Sequence, residues 1–166
     1  MSNFTHSLAS AERPPRQPRP RGRAALLALL IAAAGLSGVP ADAADVAIAV
    51  LVNANNPVAS LSSEEVGKLF LKKTSKWPNG EKVLPVDLHE QSAVRESFSK
   101  QFHGKGTAAI KAYWQKMIFS GRDVPPPEKT SVADVAAFVR SNAGGVGYVP
   151  ASYDAGAGVK VLQVTP

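Results

Sequence analysis

From residue 46 onward, short runs of β-branched residues alternate with stretches in which apolar side chains return every three or four positions. The first run is VAIAVLV, Val46–Val52, and it predicts a buried strand. Asn53, Asn55, Asn56 and Pro57 end it. Ser62 is followed three residues later by Glu65, a capping-box pattern, and Val66, Leu69 and Phe70 then share one helical face. A helix is predicted over 62–72. WPNGE, Trp77–Glu81, reads as a turn, and KVLPVD, Lys82–Asp87, as a second strand, with Pro85 arguing against a fully paired central position. Ser92 is placed to cap a helix over 93–103, whose stripe is Val94, Phe98 and Phe102. Thr107 is placed to cap a helix over 108–119, with Ile110, Tyr113, Trp114, Met117 and Ile118 as its packing side. Pro125–Pro127 form a stiff loop. Ser131 and Asp134 suggest a further capping box ahead of Val135, Phe138 and Val139, and Asn142–Gly145 stop that helix. VGYV, Val146–Val149, and VKVLQV, Val159–Val164, are the remaining strands. The alternation predicts an α/β domain: a small mixed or largely parallel sheet with flanking helices. In such folds ligands sit beyond the carboxyl ends of strands, near helix N-termini, which directs attention to the loops at 53–61 and 87–92.

The first 43 residues follow another pattern. Residues 1–23 are polar and rich in proline, with Arg13, Arg16, Arg19, Arg21 and Arg23. The apolar run AALLALLIAAA, Ala24–Ala34, would be roughly 16 Å long as a helix at about 1.5 Å per residue. That is short of the roughly 30 Å hydrocarbon core. Ala41 and Ala43 satisfy a small-x-small cleavage pattern. The expectation is a secretory signal peptide at 1–43 and a single domain at 44–166, with a retained anchor as the alternative. Export implies a cell envelope, read as the bacterial periplasm, with no stable membrane insertion after cleavage. Cysteine is absent, so disulfides and thiolate metal sites are excluded.

Charge adds a restriction. The whole chain of 166 residues has a formal charge of +6, but residues 44–166 carry 14 Lys and Arg against 11 Asp and Glu, about +3 net. That balance suits an anionic small molecule and does not signal nucleic acid. Lys72, Lys73 and Lys76 form the densest basic patch after residue 43, read first as a solvated turn.

The candidate chemistry lies in DLHEQSAVRESF, Asp87–Phe98, where a strand end runs into a helix start. The first N–H groups of a helix have no intrahelical acceptor, and with the Ser92 hydroxyl they suit a phosphate or related oxyanion. Arg95 lies about one turn along and can add charge. The plainer reading is that Ser92 is an ordinary cap and that Arg95 and Glu96 face solvent. Asp87, His89 and Glu90 lack convincing third and fourth partners for a metal. No oriented triad and no G-x-S-x-G is visible, so no catalytic residue, metal or cofactor is expected and the protein is read as non-enzymatic. GGVGYVP, Gly144–Pro150, precedes a strand and is read as a tight turn with close backbone packing, not a phosphate loop.

Four stretches, in order and spacing, resemble the phosphate-type periplasmic solute-binding proteins: VLVNANNPVASLSSEEVGKLFLKKTSKWPNG at 50–80, LPVDLHEQSAVRESF at 84–98, AYWQKMIFSG at 112–121 and VRSNAGGVGYVP at 139–150. The resemblance covers roughly 46–164. It implies one lobe of a type II periplasmic binding protein, the lobe whose serine-initiated helix contacts phosphate, and an ABC importer as the partner of the full two-lobe protein. The family's motif reads R-x-x-G-S-G-T. Here its arginine falls at Leu88, its first glycine at Gln91, its serine at Ser92, its second glycine at Ala93 and its threonine at Val94. Only the serine is retained. The ligand-binding candidates are therefore Asn53, Asp87, His89, Ser92, Ala93 and Arg95. The expected role is a solute-binding-like domain for an oxyanion, working with an ABC permease. The alternative is an envelope protein-interaction module that keeps the fold without binding a small anion.

Overall fold

The computed structural model describes residues 45–166; the expected signal peptide lies outside the described residues. Eleven elements follow one another: β1 (Ile48–Asn53), β2 (Ser60–Ser62), α1 (Ser63–Phe70), β3 (Leu84–Pro85), β4 (Asp87–Leu88), α2 (Ala93–His103), α3 (Thr107–Phe119), β5 (Glu128–Lys129), α4 (Val132–Ser141), β6 (Gly145–Pro150) and β7 (Val159–Thr165). Five strands form one sheet in the order β2-β7-β1-β6-β3, and β4 pairs with β5 in a two-stranded ladder. β1 is antiparallel to both β6 and β7, while β2–β7 and β3–β6 are parallel. The sheet is mixed, and the central pairings are antiparallel.

Alternation along β6 divides the core. A Cβ at Gly147 would stand 2.5 Å from Val135 Cγ1 and 3.2 Å from Val139 Cγ2, so α4 packs tightly on that face. The next residue, Tyr148, points to the other face and stacks on Phe98 of α2, with ring centroids 3.9 Å apart and planes 6° apart. Phe70 of α1 meets Phe98 edge-on at 4.6 Å and Tyr148 at 5.5 Å. Such pairs add about 0.5–1.5 kcal/mol each beyond the area they bury. α1 and α2 thus cover one face and α4 the other.

Local signals act as the sequence predicts in α1. Glu65 N–H donates to Ser62 Oγ at 3.3 Å and Ser62 N–H donates to Glu65 Oε2 at 2.8 Å, a complete capping box. Asp134 N–H donates to Ser131 Oγ at 3.1 Å at the start of α4. The glycines before β6 serve close packing: a Cβ at Gly144 would lie 1.9 Å from the Lys82 carbonyl oxygen.

Three expectations change. The strand predicted over 82–87 divides at Val86. Val86 N–H donates to Val146 O at 2.9 Å, whereas Asp87 N–H donates to Pro127 O at 3.0 Å, so consecutive residues serve different sheets. Pro85 tolerates this because β3 is an edge strand. β2 and β5 are not signalled by hydrophobic runs; each exists through a distant partner, β7 or β4. In α3 the N-cap is Gly106, not Thr107, and only Thr107, Ile110 and Trp114 are buried. Ile118, predicted to pack, is 49 % exposed, and Phe119 is 90 % exposed.

Candidate functional site

β3 and β4 lead the chain into α2, and the junction is built around buried charge. Asp87 ends inside the protein, where one carboxylate oxygen accepts the Tyr148 hydroxyl and the Leu88 N–H, the latter at 2.9 Å. Arg95 Nη2 meets the other carboxylate oxygen at 3.0 Å. Arg95 Nη1 donates to Leu88 O at 2.6 Å and to Glu128 Oε1 at 2.5 Å. One guanidinium thereby ties β4, α2 and β5 together. Burial pushes the Asp87 carboxyl up from its ordinary value, while Arg95, Tyr148 and Leu88 hold it in the opposite direction. Burial, reinforced by the Asp87 charge, pushes the Tyr148 hydroxyl up and keeps it protonated as a donor.

The helix end itself is less occupied. Ser92 has extended geometry at the N-cap, and its own N–H donates to His89 O at 2.9 Å, but its hydroxyl makes no capping bond. Ser92 is half-buried, with Gln91 and Ala93 exposed on either side. The start of α2 therefore presents a free hydroxyl beside N–H groups whose positive end of the helix dipole favours an anion by about 0.3–1 kcal/mol at an exposed site. His89 is exposed and its Nδ1 accepts the Gln91 N–H at 3.4 Å.

The six candidates do not converge. Ser92, Ala93 and His89 share the open end of α2. Asp87 lies beneath it with both oxygens engaged. Arg95 is 4 % exposed and turned into the protein, which corrects both the picture of a free cationic arm and that of a solvent-facing residue. Glu96 is half-buried and accepts the Thr107 N–H at 2.8 Å, so it does not simply face solvent either. Asn53 is the clearest displacement. β1 runs antiparallel to β6, and β6 parallel to β3, so the end of β1 adjoins the start of β3, at the opposite end of the sheet from α2's first turn. There its amide donates to Val139 O at 3.1 Å and Arg140 O at 3.0 Å, and its oxygen accepts the Asn55 N–H at 3.0 Å. Asn53 clamps the end of α4, and the loops at 53–61 and 87–92 are not one site. Among the described residues, no group of three or more His, Cys, Asp or Glu side chains is arranged to hold a metal.

Sequence reasoning missed Glu128 and the polar use of Tyr148. Glu128 is 33 positions from Arg95 and follows a proline run with no motif; Tyr148 reads as core because its ring is core. The signal for both was the pair Asp87 and Arg95, two charges on apolar-flanked elements that need partners once buried.

No family model and no curated relative matches the chain. Solved structures do. An ABC-type phosphate transport receptor from Vibrio cholerae aligns at 22 % identity with a TM-score of 0.54, over 72 % of this chain and 46 % of the receptor. The fold is that of one lobe of a phosphate-type solute-binding protein. A putative phosphate ABC transporter substrate-binding protein with bound phosphate, from Clostridium perfringens, aligns at 19 % identity and TM-score 0.56, over 72 % and 45 %. A possible phosphate-binding protein from Planctomyces limnophilus aligns at 18 % and 0.53, over 73 % and 43 %. The chain spans about half the length of these structures. The likeness is one of fold, to proteins described as receptors and binding proteins.

Proposed function

We propose that residues 44–166, exported behind the segment 1–43, form a non-catalytic solute-binding-like domain of the bacterial periplasm. It takes phosphate or a related oxyanion at the start of α2 and works with an ABC permease. The observation that carries this reading is the uncapped Ser92 hydroxyl at the N-terminus of an 11-residue helix, in a lobe shaped like those of phosphate receptors. Ser92 donates to an oxyanion oxygen, and the N–H groups beside it complete the contact. Calorimetric titration of the purified protein with phosphate at low ionic strength, with sulfate as comparator, tests it. Saturable heat that Ser92→Ala reduces about tenfold or more in affinity is the expected result, the size of one lost bond to a charged group. A flat titration of folded protein sinks the reading.

A second reading has its own support. Arg95 is committed to Asp87 and Glu128, and Ile118, Phe119 and Val124 leave apolar surface exposed around the end of α3. These favour an envelope protein-interaction module that keeps the fold without binding a small anion. It predicts flat phosphate titrations together with a reproducible partner in envelope pull-downs.

A further inference from the structure

Residues of α1, the end of α2 and the start of α3 line a second feature, a cavity of about 320 Å³. Its floor is apolar, formed by Leu71, Phe102 and Ile110. Gly67 sets the spacing of the walls: a Cβ there would stand 2.6 Å from the Phe102 carbonyl oxygen, so α1 and α2 meet at a separation that only glycine permits. Charged side chains also line the cavity: Lys68, Lys73 and Lys105, with the single carboxylate of Glu64. Lys68 is neutralised by Glu64 at 2.8 Å. Lys73 and Lys105 are exposed and, among the described residues, make no salt bridge and no side-chain hydrogen bond.

The backbone explains how Lys73 arrives there. Lys72 adopts a left-handed conformation, φ 52°, immediately after α1. Lys72 then turns to Asp123, with Nζ 3.3 Å from Oδ1 and 2.8 Å from Val124 O, while its neighbour Lys73 lines the cavity. A non-glycine residue in this region costs about 1 kcal/mol or more. Two of the three cations of the basic turn seen in the sequence, Lys72 and Lys73, are thus sent in different directions, one paired and one free of salt bridges.

His103 forms part of the wall. Its half-buried ring lies edge-on to Phe98 at 5.6 Å and has no hydrogen-bond partner among the described residues. Burial, with the Lys73 and Arg95 charges behind it, holds its pKa down to about 4, so at neutral pH the ring is uncharged and offers one N–H donor and one acceptor. Tyr113 completes the opening.

We propose that this cavity is a binding site for a small organic anion with an apolar body, of the aryl-carboxylate class. The body lies on Leu71, Phe102 and Ile110, and the carboxylate sits between the Lys73 and Lys105 ammonium groups within reach of the His103 ring. A cluster of solvated lysines alone would attract any anion equally, and an apolar floor alone would accept a neutral aromatic as well. The combination selects for both features in one molecule. The site is separate from the start of α2, and the inference does not rest on oxyanion binding there.

Titration of the ¹⁵N-labelled purified protein with benzoate, followed by two-dimensional amide NMR, tests it, with benzyl alcohol and acetate as comparators. The expected result is saturable movement of the Gly67, His103, Lys105 and Ala109 signals, with benzoate at least tenfold tighter than either comparator. The charge reversal Lys73→Glu with Lys105→Glu, at two exposed positions, is expected to weaken benzoate at least tenfold while spectra far from the cavity stay unchanged. Ala109→Phe, from an exposed lining residue, fills the space and is expected to abolish the movement. A benzoate preference below tenfold, or a folded charge-reversed protein that binds benzoate as well as the wild type, overturns the proposal.

Discussion

Arg95 near the start of α2 and Lys73 just past the end of α1 are both cations close to helix ends, yet the fold uses them in opposite ways. Arg95 is buried and held by Asp87, Leu88 and Glu128. Lys73 is exposed beside the cavity and, among the described residues, makes no salt bridge and no side-chain hydrogen bond. A guanidinium fits the first place because its planar fork reaches three acceptors at once, whereas an ammonium on a flexible stem suits the second. A cation near a ligand-sized space is informative only when its counter-charges are known. At the α2 junction Asp87 and Glu128 outnumber Arg95, so the anion-favouring groups are the Ser92 hydroxyl and the helix end, not the nearest arginine. At the α1–α3 cavity the charge is available.

The largest test of this contrast is Arg95→Ala. It strands Asp87 as a buried, uncompensated carboxylate and is expected to cost about 3–5 kcal/mol in denaturant unfolding. Lys105→Ala, at the other region, is expected to change stability by less than about 0.5 kcal/mol. Comparable losses in the two variants would erase the distinction between structural and available cations.

An effect of nearly that size is expected from pH. Below about pH 6.5 the unfolded chain protonates His103, while the native ring resists protonation until about pH 4. The unfolded state binds more protons in this window, so stability is full above about pH 6.5 and falls as the pH is lowered toward 4, by up to about 3 kcal/mol. Unfolding curves across that range check it, and His103→Gln should flatten the slope. A slope that survives the substitution would move its origin to other groups.

The smallest effect concerns Glu128, which is partly exposed and adds a negative charge near the start of α2. Glu128→Gln removes one like charge from the neighbourhood of the proposed oxyanion and leaves Asp87 to hold Arg95. Phosphate affinity is expected to rise about fivefold at low ionic strength, corresponding to about 1 kcal/mol of screened repulsion. An unchanged affinity in a protein that binds phosphate would place the ligand away from this charge cluster.

The elements themselves were largely readable. Ser62 with Glu65 predicts the start of α1, and both bonds of the box form. The stripe at Val94, Phe98 and Phe102 predicts α2, and both phenylalanines are buried. Ser92 marks the start of α2 correctly, but its identity as a good cap did not reveal that its hydroxyl stays free. Periodicity misjudged α3 because it registers which residues share a face, not how far along the helix a neighbour extends; Ile118 and Phe119 run past that support. Asn53 looked like part of a strand-end site because such ends gather ligands in parallel sheets, but the antiparallel pairing of β1 with β6 carries it to the other end.

By itself, then, the sequence determined the long strands, the helices with their starts and the α/β class, because hydrophobic period, capping and turn chemistry act within a few residues. The tertiary structure alone decided the sheet order, the division of Lys82–Asp87 between two sheets and the fate of each charge. Those outcomes depend on contacts such as Arg95 with Glu128 and Asp87 with Tyr148, 33 and 61 positions apart, where no local pattern records the partner. Burying a charge is costly until such a partner is found, and only the folded chain brings it there.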